Sequence, residues 1–375
     1  MDGQAYAQAL EPFEAETERL RPPNAEVFDA HTHLGLDEDG RALELGALLA
    51  LLDAAGAQRA CVFPLHDPER VPAYRAPNDR VLRWAQESEG RLVPFCRLDP
   101  ADGPLAEGER ALAAGARGIK LHPRAHTFAF VGEHIAEIFA LADQAAVPIL
   151  IHAGRGMPPI ADGLADLAWR YPDVVLILAH AGIADQGILT TRLADHPGVL
   201  YDVSCFYPLD VLELFARVPA ERIVFASDPP YGRPATALYM ALRIAAAVGL
   251  DEAAVRLFMG ETMGGLCDRH GLAAARAPRG SRTVTMSGPL ARVYSYCTTS
   301  GPALFSGQPE IVRGALELAI AACRDPEPPD RLGPALEQIA SALSTAIASL
   351  DEPIDVLSTL DLVHRCMSLA ATEPA

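Results

Sequence analysis

Two histidines separated by one residue, His31 and His33, are the first pair in the chain that could do metal chemistry. They end an apolar stretch that is typical of a β-strand, and alternate side chains of a strand point to the same face. Two imidazoles about 6–7 Å apart along one strand can chelate a single metal ion. Such a pair alone is usually structural, so its meaning depends on partners elsewhere in the chain.

Three further polar side chains each end a later apolar run: His152 in ILIHAG, His180 in ILAHAG and Asp228 in FASD. A neutral imidazole at the end of a buried strand needs a partner for each ring nitrogen, and a metal ion supplies one. With the first two histidines, these residues form a nitrogen and oxygen ligand set typical of zinc or manganese. An open coordination position would hold water and lower the pKa of that water. The structural alternative for Asp228 is the N-cap of the following helix, near Pro229 and Pro230.

These residues must be positioned by strands that alternate with helices between residues 26 and 265. The strands are continuous apolar runs, as expected for parallel strands buried on both faces. Eight such units predict an α/β fold, a closed (β/α)8 TIM barrel, whose strand ends form one mouth where active sites are built. An open doubly wound sheet is the alternative, but no glycine-rich phosphate fingerprint follows the first strand. The predicted strands are 26–33, 59–66, 92–99, 118–122, 148–153, 174–180, 199–204 and 222–228.

Six motifs in this order resemble the amidohydrolase-related branch of the amidohydrolase superfamily: FDAHTHLG, GIKLHP, PILIHAG, VLILAHAG, YDVS and FASDPPYG. The resemblance covers about residues 27–266 and implies a metal-dependent barrel enzyme, in a branch that contains hydrolases, lactonases and decarboxylases. It implies that His180 is a second-metal ligand or a catalytic acid/base, and that Asp228 also takes a proton from bound water. The metal ligands implied by the resemblance are His31, His33, His152 and Asp228.

Lys120, which ends the fourth predicted strand, is the only lysine among 31 Lys and Arg residues. Three interpretations remain open. In binuclear members of the superfamily a lysine of this strand is carboxylated and bridges two metal ions, which Arg cannot do because it stays protonated. Lys120 could instead be a free ammonium that binds a substrate carboxylate, or it could form a structural ion pair.

Four residues near the strand ends are candidates for binding the substrate. His122 shares the face of Lys120 if the strand continues, but Pro123 ends the strand. Arg155 and Arg233 follow strand ends and could clamp a substrate carboxylate, with solvated surface arginines as the alternative. Tyr231 could line the same mouth. We expect five other histidines, in loops or helices, to lie at the surface: His126, His134, His196, His270 and His364.

The bulk composition excludes several classes of function. A formal charge of −18 argues against nucleic acid, whose phosphates require a basic face. No apolar run approaches the roughly 20 residues needed to cross a bilayer, so no membrane role is expected. The first residues lack a basic region before an apolar stretch and do not form a signal peptide, which predicts a cytoplasmic protein. The seven scattered cysteines contain no CxxC pair and are expected to be free thiols.

The 375 residues exceed the roughly 250 of one large barrel, so an appendage is expected. We predict an N-terminal segment (1–25), the barrel (26–270), a linker (271–288) and a helical C-terminal extension (289–375). Within the extension, helices are predicted at 309–324, 334–350 and 353–369. Their apolar stripes are too extensive to leave in water, so we expect the barrel or a second copy of the chain to cover them.

The leading hypothesis is a metal-dependent hydrolase that acts on a small polar amide, lactone or ester, with one or two divalent ions, zinc before manganese. Asp228 and His180 would transfer protons. The alternative is a metal-dependent, non-oxidative decarboxylase of a carboxylate-bearing substrate, which uses the same ligands. A catalytically idle barrel with an interaction role is the third hypothesis, and the intact ligand set argues against it.

Overall fold

Parallel strands form the centre of the fold in the computed structural model, which describes residues 3–204, 207–278, 280, 286–324, 330–351 and 355–373. The strands are β1 Phe28–Leu36, β2 Ala42–Leu43, β3 Arg59–Pro64, β4 Leu92–Pro94, β5 Cys96–Arg97, β6 Ile119–Leu121, β7 Ile149–Ile151, β8 Leu176–Leu178, β9 Val199–Asp202 and β10 Ile223–Val224. All pair in parallel except β2, which forms a short antiparallel pair with β1. β4 and β5 share the third predicted strand, which is interrupted at Phe95.

Hydrogen bonds close these strands into a barrel. The strand order is β2-β1-β3-β4 in one sheet and β10-β9-β8-β7-β6-β5 in the other. At one seam, the Phe95 amide donates to the Val62 carbonyl (2.8 Å), whereas β5 pairs with β6. At the other seam, the Ala30 amide donates to the Phe225 carbonyl (2.9 Å) and the Asp228 amide to the His31 carbonyl (2.8 Å). The predicted (β/α)8 barrel is therefore confirmed.

The barrel interior is a packed core beneath the mouth. Alternate strand residues, such as Phe63, Phe95, Leu150 and Ile177, fill it. A second and larger apolar layer lies between the strands and the surrounding helices. Because bulky side chains fill the interior, polar strand-end residues can meet only at the rim.

The barrel helices follow the predicted alternation, with one short addition after β6. They are α2 Leu45–Ala54, α3 Arg75–Glu87, α4 Pro104–Ala113, α5 Pro123–His126, α6 Glu133–Ala145, α7 Ala161–Arg170, α8 Gln186–Arg192, α9 Pro208–Arg217, α10 Pro234–Val248, α11 Glu252–Arg256 and α12 Thr262–Cys267. A π-helical turn, Leu257–Glu261, joins the last two. None of the described helices is both long and apolar enough to cross a membrane.

The remaining helices lie at the two ends of the chain. They are α1 Gly3–Leu20, α13 Gly288–Cys297, α14 Ser300–Phe305, α15 Pro309–Cys323, α16 Gly333–Ala348 and α17 Val356–Thr372. α1 lies in the N-terminal segment, for which the residue pattern predicts no helix. The predicted start of the last helix, at residue 353, lies outside the described residues, as do residues 279 and 281–285 of the predicted linker.

α10 connects the barrel to the terminal helices. It is buried around nearly its whole circumference, because one side covers the barrel and α1 and α17 pack on the other. Its buried Arg243 forms a salt bridge to Glu16 of α1 (2.6 Å). Its Thr236 donates a hydrogen bond to Asp361 of α17. A helix that is apolar on all sides requires such cover on all sides.

Shortening the chain to end at Gly271 is expected to cause aggregation or a change of oligomeric state. Removal of α17 exposes side chains of α10 that it covers, such as Tyr239 and Met240, which are 0% and 3% exposed in the full chain. Sedimentation and solubility of the shortened and full-length proteins, measured side by side, check this prediction. Identical behaviour of the two would show that the extension does not protect α10.

Candidate metal centre

A β-bulge in β1 sets the direction of His31 and His33. Asp29 pairs with Ala60 and Thr32 with Val62, so three steps along β1 match two along β3. The extra residue reverses the alternation of side chains. Phe28 and Ala30 therefore point into the barrel core below the bulge, whereas His31 and His33 face the mouth above it.

Three potential ligand atoms converge at this mouth. His31 Nε2 lies 3.2 Å from His33 Nε2, and Asp228 Oδ1 lies 3.2 Å from the first nitrogen and 3.1 Å from the second. Atoms that share an ion at about 2.0–2.2 Å stand roughly 3–3.5 Å apart. The triangle formed by His31 Nε2, His33 Nε2 and Asp228 Oδ1 therefore has the dimensions of one face of a metal coordination shell.

The protonation pattern of this triangle also favours a cation. His31 Nδ1 donates to Asp202 Oδ2 (2.8 Å), and His33 Nδ1 donates to the Pro64 carbonyl (3.4 Å). Both Nε2 atoms then carry lone pairs that face Asp228 Oδ1. Burial holds the pKa of both imidazoles well below the usual range, so they stay neutral. Lys120 Nζ is the proton donor nearest to these electron pairs, 3.3 Å from His31 Nε2, and a metal ion between the three atoms would satisfy all of them.

His152 and His180 form an adjacent pair. His180 Nε2 lies 3.0 Å from His152 Nδ1, and the Ser204 carbonyl accepts the His180 Nδ1 proton (2.9 Å). His152 Nε2 is buried without a hydrogen-bond partner among the described residues. One atom each of His31, His180 and Asp228 lies within 4.8 Å of the others. These donors are compatible with one ion or with two neighbouring ions.

Lys120 is completely buried beside the triangle. Its Nζ lies 3.3 Å from His31 Nε2 and 4.5 Å from the centre of the Phe63 ring. Burial is the main cause that lowers the pKa of Lys120 to about 7. Within the described part of the chain it has no salt bridge to a carboxylate, which is the contact that the structural interpretation requires.

Two acidic residues outside the predicted set of site residues hydrogen-bond to the candidate centre. Asp202 accepts from His31 Nδ1 and, through Oδ1, from the amides of His180 (2.8 Å) and Ser204 (3.0 Å). Asp29 accepts from the amide of His31 (3.1 Å), and burial raises the pKa of its carboxyl to about 7. Each is an acidic residue within an apolar strand. Asp29 stands two residues before His31 and Asp202 two residues before Ser204, and this spacing is visible in the sequence.

Two of the site residues have left-handed backbones. His180 has a φ of 58° and Asp228 a φ of 59°. Such a conformation costs a non-glycine residue about 1–3 kcal/mol and clusters at functional sites. At Asp228 it begins a tight turn, in which the Tyr231 and Gly232 amides both donate to the Asp228 carbonyl (2.9 Å each). The carboxylate thus belongs to a turn and not to a helix N-cap, since α10 begins at Pro234.

The predicted substrate-binding residues occupy different places. His122 stacks on His152 with ring centres 3.9 Å apart, and its Nδ1 accepts from the Ala125 amide. Tyr231 lies 6.3 Å from His33 between ring centres and donates to Asp37 (2.8 Å).

The two arginines among these candidates contact residues outside the candidate metal centre. Arg155 forms a salt bridge to Asp210, with its side chain 59% exposed. Arg233 reaches Ser358 of α17 at 3.4 Å. The binding role of all four residues stays a prediction.

The expectation that five histidines lie at the surface was partly wrong. His134 and His270 are exposed, but His196 is buried and donates to the Ala168 carbonyl (3.0 Å). His126 is half-buried, with its Nε2 3.0 Å from the Tyr74 hydroxyl. His364 is half-buried in a pocket. All five lie in loops or helices, as predicted, but His126, His196 and His364 lie where elements pack together, and this packing buries them fully or partly.

A buried guanidinium completes the rim on the side of β5. Arg97 is 1% exposed and donates to the Pro64 carbonyl (3.1 Å), while its Nε has no partner among the described residues. It lies over the Tyr74 ring at 5.2 Å, and the Tyr74 hydroxyl bonds to His66 Nδ1 (2.7 Å). Burial is the main cause that lowers the pKa of His33, and the positive charges of Lys120 and then Arg97 add to it.

Solved structures that are similar in fold to this chain include a decarboxylase and a putative amidohydrolase. The IDCase of Metarhizium anisopliae has 17% identity and a TM-score of 0.53, covering 66% of this chain and 98% of its own. The 2,6-dihydroxybenzoate decarboxylase from Rhizobium has 14% identity and a TM-score of 0.51, covering 66% and 99%. A putative amidohydrolase from Staphylococcus aureus has 15% identity and a TM-score of 0.51, covering 65% and 99%. At these identities the likeness shows the fold alone.

Comparison with curated proteins finds no match. A family model described as amidohydrolase matches residues 28–262, which include every barrel strand and every residue of the triangle. This match covers well over half of the chain and agrees with the resemblance carried by the six motifs. The chain therefore belongs to the amidohydrolase family.

Proposed function

We propose that this protein is a metal-dependent hydrolase of a small polar amide, lactone or ester. The observation that carries the proposal is the convergence of two neutral imidazole nitrogens and one carboxylate oxygen, from His31, His33 and Asp228, within 3.1–3.2 Å of one another. A divalent ion held there, zinc or manganese, would polarise the substrate carbonyl and lower the pKa of a water molecule.

In this proposal Asp228 acts as the general base. Burial raises the pKa of its carboxyl to about 6, and a base is most effective when its pKa lies near the working pH. We assign His180 the role of a second group that transfers protons. The Ser204 carbonyl accepts its Nδ1 proton, which leaves Nε2 as the basic nitrogen. We assign Asp202 the task of orienting His31 through its hydrogen bond to Nδ1.

Non-oxidative decarboxylation is the second candidate, and Arg97 favours it. This guanidinium is buried at the rim and has no salt bridge to any described carboxylate. A buried cation needs an anionic partner, which a substrate carboxylate could supply. Arg233 is a second guanidinium near the mouth.

Metal analysis with product analysis tests the proposal. We expect protein purified without chelator to contain one or two equivalents of zinc or manganese, and to hydrolyse members of a panel of lactones, aryl esters and anilides. Chelation should abolish turnover, and the added metal should restore it. Release of carbon dioxide from hydroxybenzoates without any hydrolysis would favour the second candidate. A protein that binds no metal would contradict both and favour an idle barrel.

A further inference from the structure

A pocket that opens to solvent lies between the barrel mouth and the C-terminal helix α17, with about 480 Å³ of empty space when the open solvent is included. Ser204 and Arg233 line it from the barrel, and Met240 lines it from α10. The opposite wall comes from α17, with Leu357, Leu360 and His364. The family match ends at residue 262, so this wall belongs to the part of the chain beyond it.

The pocket adjoins the metal centre. Its Ser204 hydroxyl lies 3.0 Å from His180 Nδ1 and 3.4 Å from His31 Nδ1. Tyr231, which also lines it, packs its ring edge-on to the ring of His33. A molecule in this pocket would therefore lie beside side chains that contact the proposed ligands.

Asp361 and Arg233, two charged side chains that line the pocket, differ in the number of hydrogen bonds that they make. Asp361, the only acid among the lining residues, accepts from Arg365 Nε (2.9 Å), from Thr236 and from Tyr6. Arg233 makes one long hydrogen bond, to Ser358 at 3.4 Å, and its Nε is buried without a partner among the described residues. It forms no salt bridge to a described carboxylate. The pocket therefore combines an available guanidinium with apolar walls.

We propose that α17 forms one wall of the substrate pocket and that Arg233 binds the carboxylate of a substrate with an apolar body. The inference rests on the proposed function and adds a substrate class to it. Guanidinium and carboxylate form charge-assisted, often bidentate hydrogen bonds, and the leucines and Met240 suit the rest of such a molecule. The C-terminal extension thereby selects the substrate as well as covering α10.

Benzoate and its uncharged counterpart benzamide are the probes, titrated calorimetrically into the zinc-loaded, full-length protein. We expect the wild-type protein to prefer benzoate. Arg233→Gln should weaken benzoate binding about tenfold or more and leave benzamide binding nearly unchanged, because one charge-assisted interaction is lost. Arg233→Lys should keep part of the preference. Arg217→Gln, at a 43% exposed position of α9, is the matched control.

Leu357→Trp tests the wall. Leu357 is 39% exposed, so a larger side chain there narrows the pocket without disturbing the core. We expect weaker binding of both probes, by about fivefold or more, since a bulky side chain removes space that either ligand would fill. Leu318→Trp, at a 52% exposed position of α15 outside the pocket, should have no effect.

Metal content, measured on every variant, separates this inference from the proposed function. Full metal loading with benzoate binding unchanged in Arg233→Gln and Leu357→Trp would overturn the inference alone. A wild-type protein that does not prefer benzoate over benzamide would overturn it equally. A wild-type protein that retains no metal would instead overturn the proposed function.

Discussion

Asp228→Asn is expected to remove the bound metal and to reduce turnover by at least about a thousandfold. The carboxylate is the only anionic group in the ligand triangle, and it is also our general base, a role worth about 10²–10⁴-fold in rate. Asparagine preserves the size of the side chain and tolerates the left-handed backbone at this position. The barrel should therefore remain folded. Metal analysis, turnover and thermal unfolding of the same preparation check the three parts of this prediction.

His31→Ala should give the same loss of metal, because it removes a second corner of the triangle. Asp195→Asn, at an exposed position after α8, is the matched control and should retain metal and turnover. If Asp228→Asn kept stoichiometric metal and near-normal turnover, the triangle would be a structural hydrogen-bond cluster and the proposed function would fail.

Lys120→Arg is expected to reduce turnover at least about a hundredfold. The lysine is fully buried, 3.3 Å from His31 Nε2, and burial lowers its pKa to about 7, so a neutral amine is accessible near neutral pH. Arginine stays protonated and is larger, so it would place a permanent cation beside the metal ligands. Both effects oppose metal binding, and only lysine can be carboxylated.

Metal content and turnover of Lys120→Arg, measured over a range of zinc concentrations, check this prediction. Two metal equivalents in the wild-type protein and one or none in the variant would support a carboxylated bridge. One equivalent in both, with a raised KM, would support a substrate-binding ammonium. Arg83→Lys, a conservative exchange at a 58% exposed position of α3, is the control. Wild-type turnover with full metal loading in Lys120→Arg would show that the lone lysine has no functional role.

Much of the barrel could be predicted from the sequence because buried parallel strands are uninterrupted apolar runs. A polar residue at the end of such a run is conspicuous, which is how His31, His33, His152, His180 and Asp228 were selected. The shared mouth follows from the barrel geometry, in which all parallel strands end on the same side. The order of the six motifs also predicted the family, and the family match to residues 28–262 confirms that prediction.

The orientation of these side chains was decided by tertiary structure. The bulge in β1 reverses the alternation between Ala30 and His31, and no local pattern marks it, because a bulge depends on the register with the neighbouring strand. Asp202 likewise has a role only because β9 places it 2.8 Å from a histidine 171 residues earlier.

The apolar stripes of the C-terminal helices are enough to predict that these helices are covered, because such stripes cannot remain in water.

The residue pattern gives no further detail. It did not determine which surface covers them, since the hydrophobic effect is non-directional and any apolar face of matching shape would serve. In the folded chain α17 packs on α10, which brings His364 and Leu357 to the pocket beside Ser204. Contacts such as that between Thr236 and Asp361, 125 positions apart, depend on the shapes of both surfaces, which form only when the chain folds.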